Sequence, residues 1–143
     1  MPEHNRVKKT ARFEEAKRRG IQYLLSHLQS NGELGNVQEG FYFYRAPWTF
    51  MVAGETGAAT SVCSWVRENM WTSHGNFDKG LRVNRDAYAY RNATFIYGAH
   101  MARQFDLSHR SMEYLLSWQD SKTGGFSNNL EDNGMSDDMD IPY

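Results

Sequence analysis

The densest chemistry lies near the C-terminus, where Ser136-Asp137-Asp138-Met139-Asp140 gathers three carboxylates in a run of five residues. Carboxylates this close raise one another's pKa, which can keep one protonated as an acid. They can also hold Mg²⁺ against a diphosphate. An acidic loop leading into a helix accounts for the same residues with no chemistry. A second set is Tyr88, Arg91 and Asn92 on one face of a predicted helix, with Tyr44 and Arg45 at an earlier helix start. Here a Tyr can move a proton at a sugar carbon, an Arg can grip a carboxylate through two hydrogen bonds, and an Asn can polarise it. Buried tyrosines with satisfied hydroxyls and a helix-end ion pair are the plain alternative. Trp48, Trp71 and Trp118 can line a cavity for an isoprenoid or a sugar ring, although as anchors between helices they need no ligand. Cys63 is the single cysteine, so an internal disulfide is excluded and a reducing compartment is expected. No ligand-like spacing surrounds it, which rejects a zinc site. Nothing nearby would lower its pKa, so it reads as a small buried residue.

The elements that must position these residues read as helices. A chain of 143 residues fits one domain with a real core. Residues 1–9 are polar and are expected to be flexible, with a single domain over 10–143. Thr10 can cap a first helix carrying Phe13, Ala16, Gly20, Tyr23, Leu24 and Leu28 on one stripe. Gly20 costs that helix about 1 kcal/mol relative to Ala, tolerable where a neighbouring helix comes close. Asn31-Gly32 ends it, and the aromatic run Phe41 to Tyr44 leads to a short helix from Pro47 to Ala53. Gly54 and Gly57 break the chain before a helix from Ala58 to Trp71. Asp86 caps a long helix to Phe105, with Tyr90, Ala93, Thr94, Tyr97 and Met101 on one stripe and Tyr88, Asn92 and Phe95 on the other. Aromatics on both sides predict burial on both sides. Ser108 caps a last helix through Met112, Leu115, Leu116 and Gln119.

A repeated phrase orders these helices. Tyr114, Leu115, Gln119, Gly124 and Phe126 share their spacing with Trp65, Val66, Met70, Gly75 and Phe77. Tyr23 to Leu34 is a third copy, one residue shorter in its loop. The marks at Tyr23, Trp65 and Tyr114 stand 42 and 49 residues apart, a range that suits helical-hairpin repeats.

Arg110-Ser111-Met112-Glu113-Tyr114-Leu115, followed by Gln119, Gly124 and Phe126, resembles the QW-type repeat of squalene-hopene cyclases and related terpenoid cyclases and protein prenyltransferases. Phe126 stands where that repeat has Trp. Arg19-Gly20-Ile21-Gln22-Tyr23-Leu24 opens the first copy in the same way, with Gln29 one place late and Leu34 for Trp. The middle copy has Met70 for Gln. The resemblance implies an α/α toroid in which Gln bonds free backbone groups at a helix end and the aromatic stacks over it. It also implies an isoprenoid cavity. The family's acid motif is DxDD, whereas this chain has DDxD.

The fold expectation is therefore all-α, an incomplete α/α toroid of helical hairpins. Tyr143 resembles the start of a further helix, so the chain reads as a fragment of a longer repeat domain, or one piece completed by self-association. The expected function is binding or cyclising an isoprenoid. The cavity would be lined by Tyr44, Trp48, Tyr88, Asn92 and Phe95, with Asp137, Asp138 and Asp140 at its mouth, with or without Mg²⁺. Two alternatives stay open. One is carbohydrate processing of the polysaccharide-lyase or sugar-epimerase type, which also uses α/α barrels, with Tyr88, Arg91, Asn92, Tyr44 and Arg45 at work. The other is a non-catalytic helical-repeat interaction module. A formal charge of −1 speaks against a nucleic-acid partner. The charge is uneven, with seven Lys/Arg against three Glu in residues 1–20 and five acids without a base in residues 130–143. No apolar run approaches a membrane span and no signal-peptide core is present, so a cytoplasmic protein is expected.

Overall fold

In the computed structural model of the chain, residues 3–35, 44–77 and 88–126 are described, with side chains from residue 9 onwards. The apolar spacing yields five helices among these residues: α1 (Glu3–Ser26), α2 (Ala46–Ala53), α3 (Thr56–Asn69), α4 (Tyr88–Met101) and α5 (Phe105–Leu116). The described residues contain no strand, only isolated bridges between Leu28 and Leu34 and between Gln119 and Phe126. The all-α expectation holds. α1 starts at Glu3, so Thr10 lies inside the helix and is not its N-cap. Asp86 and residues 41–43 fall outside the described residues.

α2 packs on α3 as one hairpin and α4 on α5 as a second, and α2 and α4 join the two. α2 and α4 form one layer, against which α3 and α5 pack. Ala59, Val62, Cys63 and Val66 of α3 and Phe95, Ile96 and Ala99 of α4 fill the core. Close approach of α2 and α4 depends on Gly98, where an added Cβ would stand 2.6 Å from Trp48 N and 3.0 Å from Pro47 Cβ. α4 is buried on one face only. Tyr88, Asn92 and Phe95 are buried, but Tyr97 on the other stripe is 55% exposed.

The two hairpins share a register that residue types hide. Gly54 (φ 90) and Arg103 (φ 58) stand 49 positions apart, and both turn the chain in the left-handed region. Gly54 N–H donates to Met51 O (3.1 Å) and Arg103 N–H to His100 O (2.9 Å). Glu55 N–H donates to Phe50 O (2.8 Å) and Gln104 N–H to Ala99 O (2.9 Å). The residues that follow match too, Glu55 at φ −87, ψ 60 and Gln104 at φ −86, ψ 68. This turn explains two displaced boundaries. α3 starts at Thr56, with Gly57 inside it, and α5 starts at Phe105. Ser108 is thus inside α5 and buried, its hydroxyl 3.2 Å from His100 Nδ1.

α1 and both hairpins end in a glycine loop closed by two backbone hydrogen bonds. Gln29 N–H donates to Glu33 O (2.8 Å) and Gly32 N–H back to Gln29 O (3.0 Å). Thr72, Asn76 and Gly75 repeat this at 2.9 and 3.0 Å, and Asp120, Gly125 and Gly124 at 2.8 Å each. Side chains complete the loops: Asn31 Oδ1 accepts from Glu33 N–H, Thr72 Oγ1 donates to Asn76 Oδ1, and Asp120 Oδ1 accepts from Lys122 and Thr123. The last set holds the Asp120 carboxyl below its usual range, chiefly through the Thr123 N–H. The equal spacing of the second and third copies conceals two opposite shifts. The second spends its extra residue leaving the helix, the third inside the turn.

The loop glycines lock successive repeats together. Gly32 (φ 91) lies on α3, where an added Cβ would collide with the Ser61 carbonyl and stand 3.2 Å from Trp65 Cβ. Gly75 (φ 95) lies on α5 at the equivalent Arg110 carbonyl, with Tyr114 Cβ at 3.2 Å. Arg110 Nε donates to Ser73 O of that loop (3.2 Å), and Trp71 Nε1 to the buried Ser111 hydroxyl (3.0 Å). Phe77 is fully buried edge-on to Phe95 at 4.9 Å, and Phe126 is half-buried against the core. Gln119 does not bond a free helix end. Its amide donates to Gly124 O of its own loop at 2.9 Å. Its counterpart in the first copy is Leu28, not Gln29, as the two bridges show.

Two measurements test this framework. Gly75→Ala combines left-handed strain with the Arg110 clash, whereas Gly54→Ala meets strain alone, since nothing lies within 4 Å of its added Cβ. Urea unfolding is expected to give a loss of about 1 kcal/mol for Gly54→Ala and at least twice that for Gly75→Ala. Arg67 grips Asp106 at 2.7 and 2.9 Å and Gln104 at 2.8 Å, tying α3 to the start of α5. The Arg67 hydrogen bond holds the Asp106 carboxyl below its usual range. Its folded pKa lies below the unfolded value of about 3.9, so the stabilisation is complete above that value and is lost as pH falls through the folded one. Asp106→Asn should flatten the acid limb of the stability profile. It should cost no more than about 1 kcal/mol at neutral pH, because the carboxylate is half in solvent.

Candidate functional site

The starts of α2 and α4 present side chains to one another because those two helices touch. Arg45 Nη2 donates to the Tyr90 hydroxyl at 2.6 Å. Its guanidinium lies over both the Tyr44 ring (5.3 Å) and the Tyr90 ring (5.6 Å). The Arg91 guanidinium also lies over the Tyr44 ring, 5.9 Å from its centroid. Tyr44 and Tyr90 meet edge to face at 5.8 Å. Two turns along α4 from Tyr90, Tyr97 meets Trp48 of α2 edge to face at 5.9 Å. The result is a strip of Tyr44, Arg45, Tyr90, Arg91, Trp48 and Tyr97 across two helices, with Arg45, Trp48 and Tyr97 exposed.

The hydrogen bond to the Tyr90 hydroxyl raises the pKa of the Arg45 guanidinium above its ordinary value and favours its protonated form. A guanidinium has five N–H donors. Among the described residues, the hydrogen bond of Arg45 goes to a phenol rather than to a carboxylate, so its positive charge is held in place without being neutralised. Flat rings beside a fixed cation suit a ligand with an anionic group on a ring or other apolar body.

The expected site residues divide into three groups. Tyr44, Arg45, Trp48 and Arg91 come together on the strip. Tyr88, Asn92 and Phe95 lie in the core, each no more than 2% exposed. Tyr88 stacks on Trp118 at 5.1 Å. Asn92 Nδ2 donates to Tyr88 O at 2.8 Å, within its own helix, while its Oδ1 is buried without a partner among the described residues. Asp137, Asp138 and Asp140 lie outside the described residues, and any Mg²⁺ chemistry rests with them. Among the described residues no group of three or more His, Cys, Asp or Glu is placed to hold a metal ion. Tyr90 and Tyr97 are strip residues that the sequence placed on the opposite stripe. The signal for them was present, in that an aromatic at Trp48 and another at Tyr97 sit 49 positions apart in the repeat register.

Beside the strip, α1 and α2 leave an open apolar groove of about 570 Å³, with Gly20, Tyr23 and Leu24 on one wall and Trp48, Val52 and Ala53 on the other. Among the described residues nothing lies within 4 Å of a Cβ added to Gly20, so no described helix accounts for that glycine. No described helix is long and apolar enough to cross a membrane.

No protein-family model matches the chain, and neither the curated proteins nor the solved structures contain a significant match.

Cys63 is buried in α3, and burial pushes its thiol up to about 12. A neutral, enclosed thiol is a poor nucleophile. Alkylation by iodoacetamide at pH 8 should therefore run no faster than unfolding, and should accelerate in parallel with loss of helix signal as urea is added. Rapid labelling of the folded protein would show that the thiol is accessible.

Proposed function

We propose that this chain is a segment of an α/α toroid of the terpenoid-cyclase and protein-prenyltransferase kind, and that the strip on α2 and α4 binds a small anionic ligand with a flat body, an acidic sugar. The repeated hairpin and the Arg-Ser-Met-Glu-Tyr-Leu phrase support the first part. The second is carried by one observation, Arg45 held between Tyr44 and Tyr90 with no carboxylate partner among the described residues. An open strip favours a sugar ring over a long hydrocarbon chain, which needs enclosure. Tyr88, Asn92 and Phe95 are packed inside the core and are not available to line an isoprenoid cavity. A second reading, an isoprenoid diphosphate, is favoured by the apolar groove, whose wall Trp48 shares with the strip. In that reading the arginines take the diphosphate and the groove takes the chain.

Titration with a uronic-acid oligosaccharide, its neutral counterpart and an isoprenoid diphosphate, followed by tryptophan emission, separates the readings. The acidic sugar is expected to bind. Arg45→Ala should weaken it at least about tenfold, the value of a hydrogen bond to a charged group. Tyr88→Phe should leave it unchanged, because the ring stays stacked in the core. The double change Asp138→Asn plus Asp140→Asn should also leave it unchanged. Binding of the diphosphate alone, dependent on Mg²⁺ and abolished by that double change, would decide for the second reading.

A further inference from the structure

The loop glycine of one repeat seats on a fixed feature of the next. On α5 the seat is the Arg110 carbonyl with Tyr114 beside it, Arg110 reaching back to Ser73 O and Ser111 receiving Trp71. On α3 it is the Ser61 carbonyl beside Trp65. α1 carries the same seat: Arg19, Gly20 and Tyr23 hold the places of Arg110, Ser111 and Tyr114. No described loop sits on it. The Arg19 side chain is 72% exposed, with only a 3.8 Å approach to Glu15. Tyr23 is 65% exposed, and among the described residues nothing lies within 4 Å of a Cβ added to Gly20.

The other end of the described chain shows the complementary vacancy. Gly124 (φ 76) is left-handed as Gly32 and Gly75 are, in a loop one residue longer that is likewise closed by two backbone hydrogen bonds. Yet its added Cβ would meet only Gln119 Nε2 of its own loop, at 3.9 Å. A formed loop without a seat and a formed seat without a loop therefore stand at opposite ends of one chain. The seat shares the arginine and the aromatic of the Gly75 joint, Arg19 for Arg110 and Tyr23 for Tyr114, with Gly20 in place of Ser111.

We infer that a second copy of this chain supplies the missing partner, the Gly124 loop of one copy seating on Arg19–Tyr23 of the next. The Arg19 guanidinium then donates to a carbonyl of the Gly124 loop, as Arg110 does to Ser73. Gly124 lies against the Arg19 carbonyl, and Tyr23 packs beside it. The contact is head to tail, so it propagates into a ring or an open chain of copies rather than stopping at a symmetric pair. It does not rest on the acidic-sugar reading of the strip, and it competes with the second reading, in which Gly20 and Tyr23 line the groove that takes the hydrocarbon chain.

Sedimentation of the full chain over a wide concentration range tests this. The mass is expected to rise with concentration above the 16.6 kDa of one chain. Gly124→Val removes the loop end and Tyr23→Asp the seat. Tyr23→Asp lies on an exposed helix face, so it keeps the test valid if Gly124→Val disturbs its own loop, and far-UV circular dichroism checks both. Each variant alone should be monomeric. A mixture of the two should form dimers and nothing larger, because one intact loop meets one intact seat. A wild-type chain that stays monomeric, association that survives Tyr23→Asp, or a mixture of two folded variants that fails to pair would each overturn the inference.

Discussion

A glycine Cα resting on the backbone carbonyl of the next helix is the contact on which this arrangement depends. The left-handed backbone at Gly32 and Gly75 bends each loop so that it meets the following outer helix, and the lack of a side chain lets it touch the helix backbone itself. Everything around the contact follows from that approach. Trp65 and Tyr114 flank it, Ser111 is small and buried beneath Trp71, and Phe77 drops into the core directly after the loop. A chain held in this way has its spacing set by backbone geometry rather than by the bulk of interdigitated side chains. That is why residue types at neighbouring positions vary between copies while the joint does not.

The second constraint lies in the layer beneath. Gly98 admits the start of α2 to the surface of α4, which draws Tyr44, Arg45 and Trp48 against Tyr90, Arg91 and Tyr97. The candidate site is a by-product of that close helix crossing. It is built from two helices that need each other, and it is open because their outward stripe has no described layer above it. The core has the opposite character. Tyr88, Asn92 and Phe95 sit on the face of α4 that α5 and the Phe77 loop cover, so their polar atoms serve packing and helix bonds.

The hairpin turns show how a repeat survives without its residue types. Gly54 and Arg103 adopt the same backbone shape although one is the residue best suited to it and the other is not. The hydrogen bonds of the turn and the helices on each side impose the conformation on Arg103. Equal spacing in the sequence can also mislead, since the second and third loops reach the same length by placing one residue differently.

Apolar spacing in the sequence determined the helices, and the repeated aromatic–glycine–aromatic phrase determined that they come as hairpins, because both signals are local and written within one or two turns of chain. The five helices, their order and the burial of Phe77 were legible on those grounds. Which side of α4 faces solvent was not, because both stripes carry aromatics and only contact with α2, α5 and the Phe77 loop chooses between them. The division of the site residues, Arg45 and Arg91 to the surface and Tyr88 and Asn92 to the core, was decided by that choice. So was the meeting of Arg45 with Tyr90, a pair 45 residues apart that no periodicity relates and that only the packing of two helices brings within a hydrogen bond.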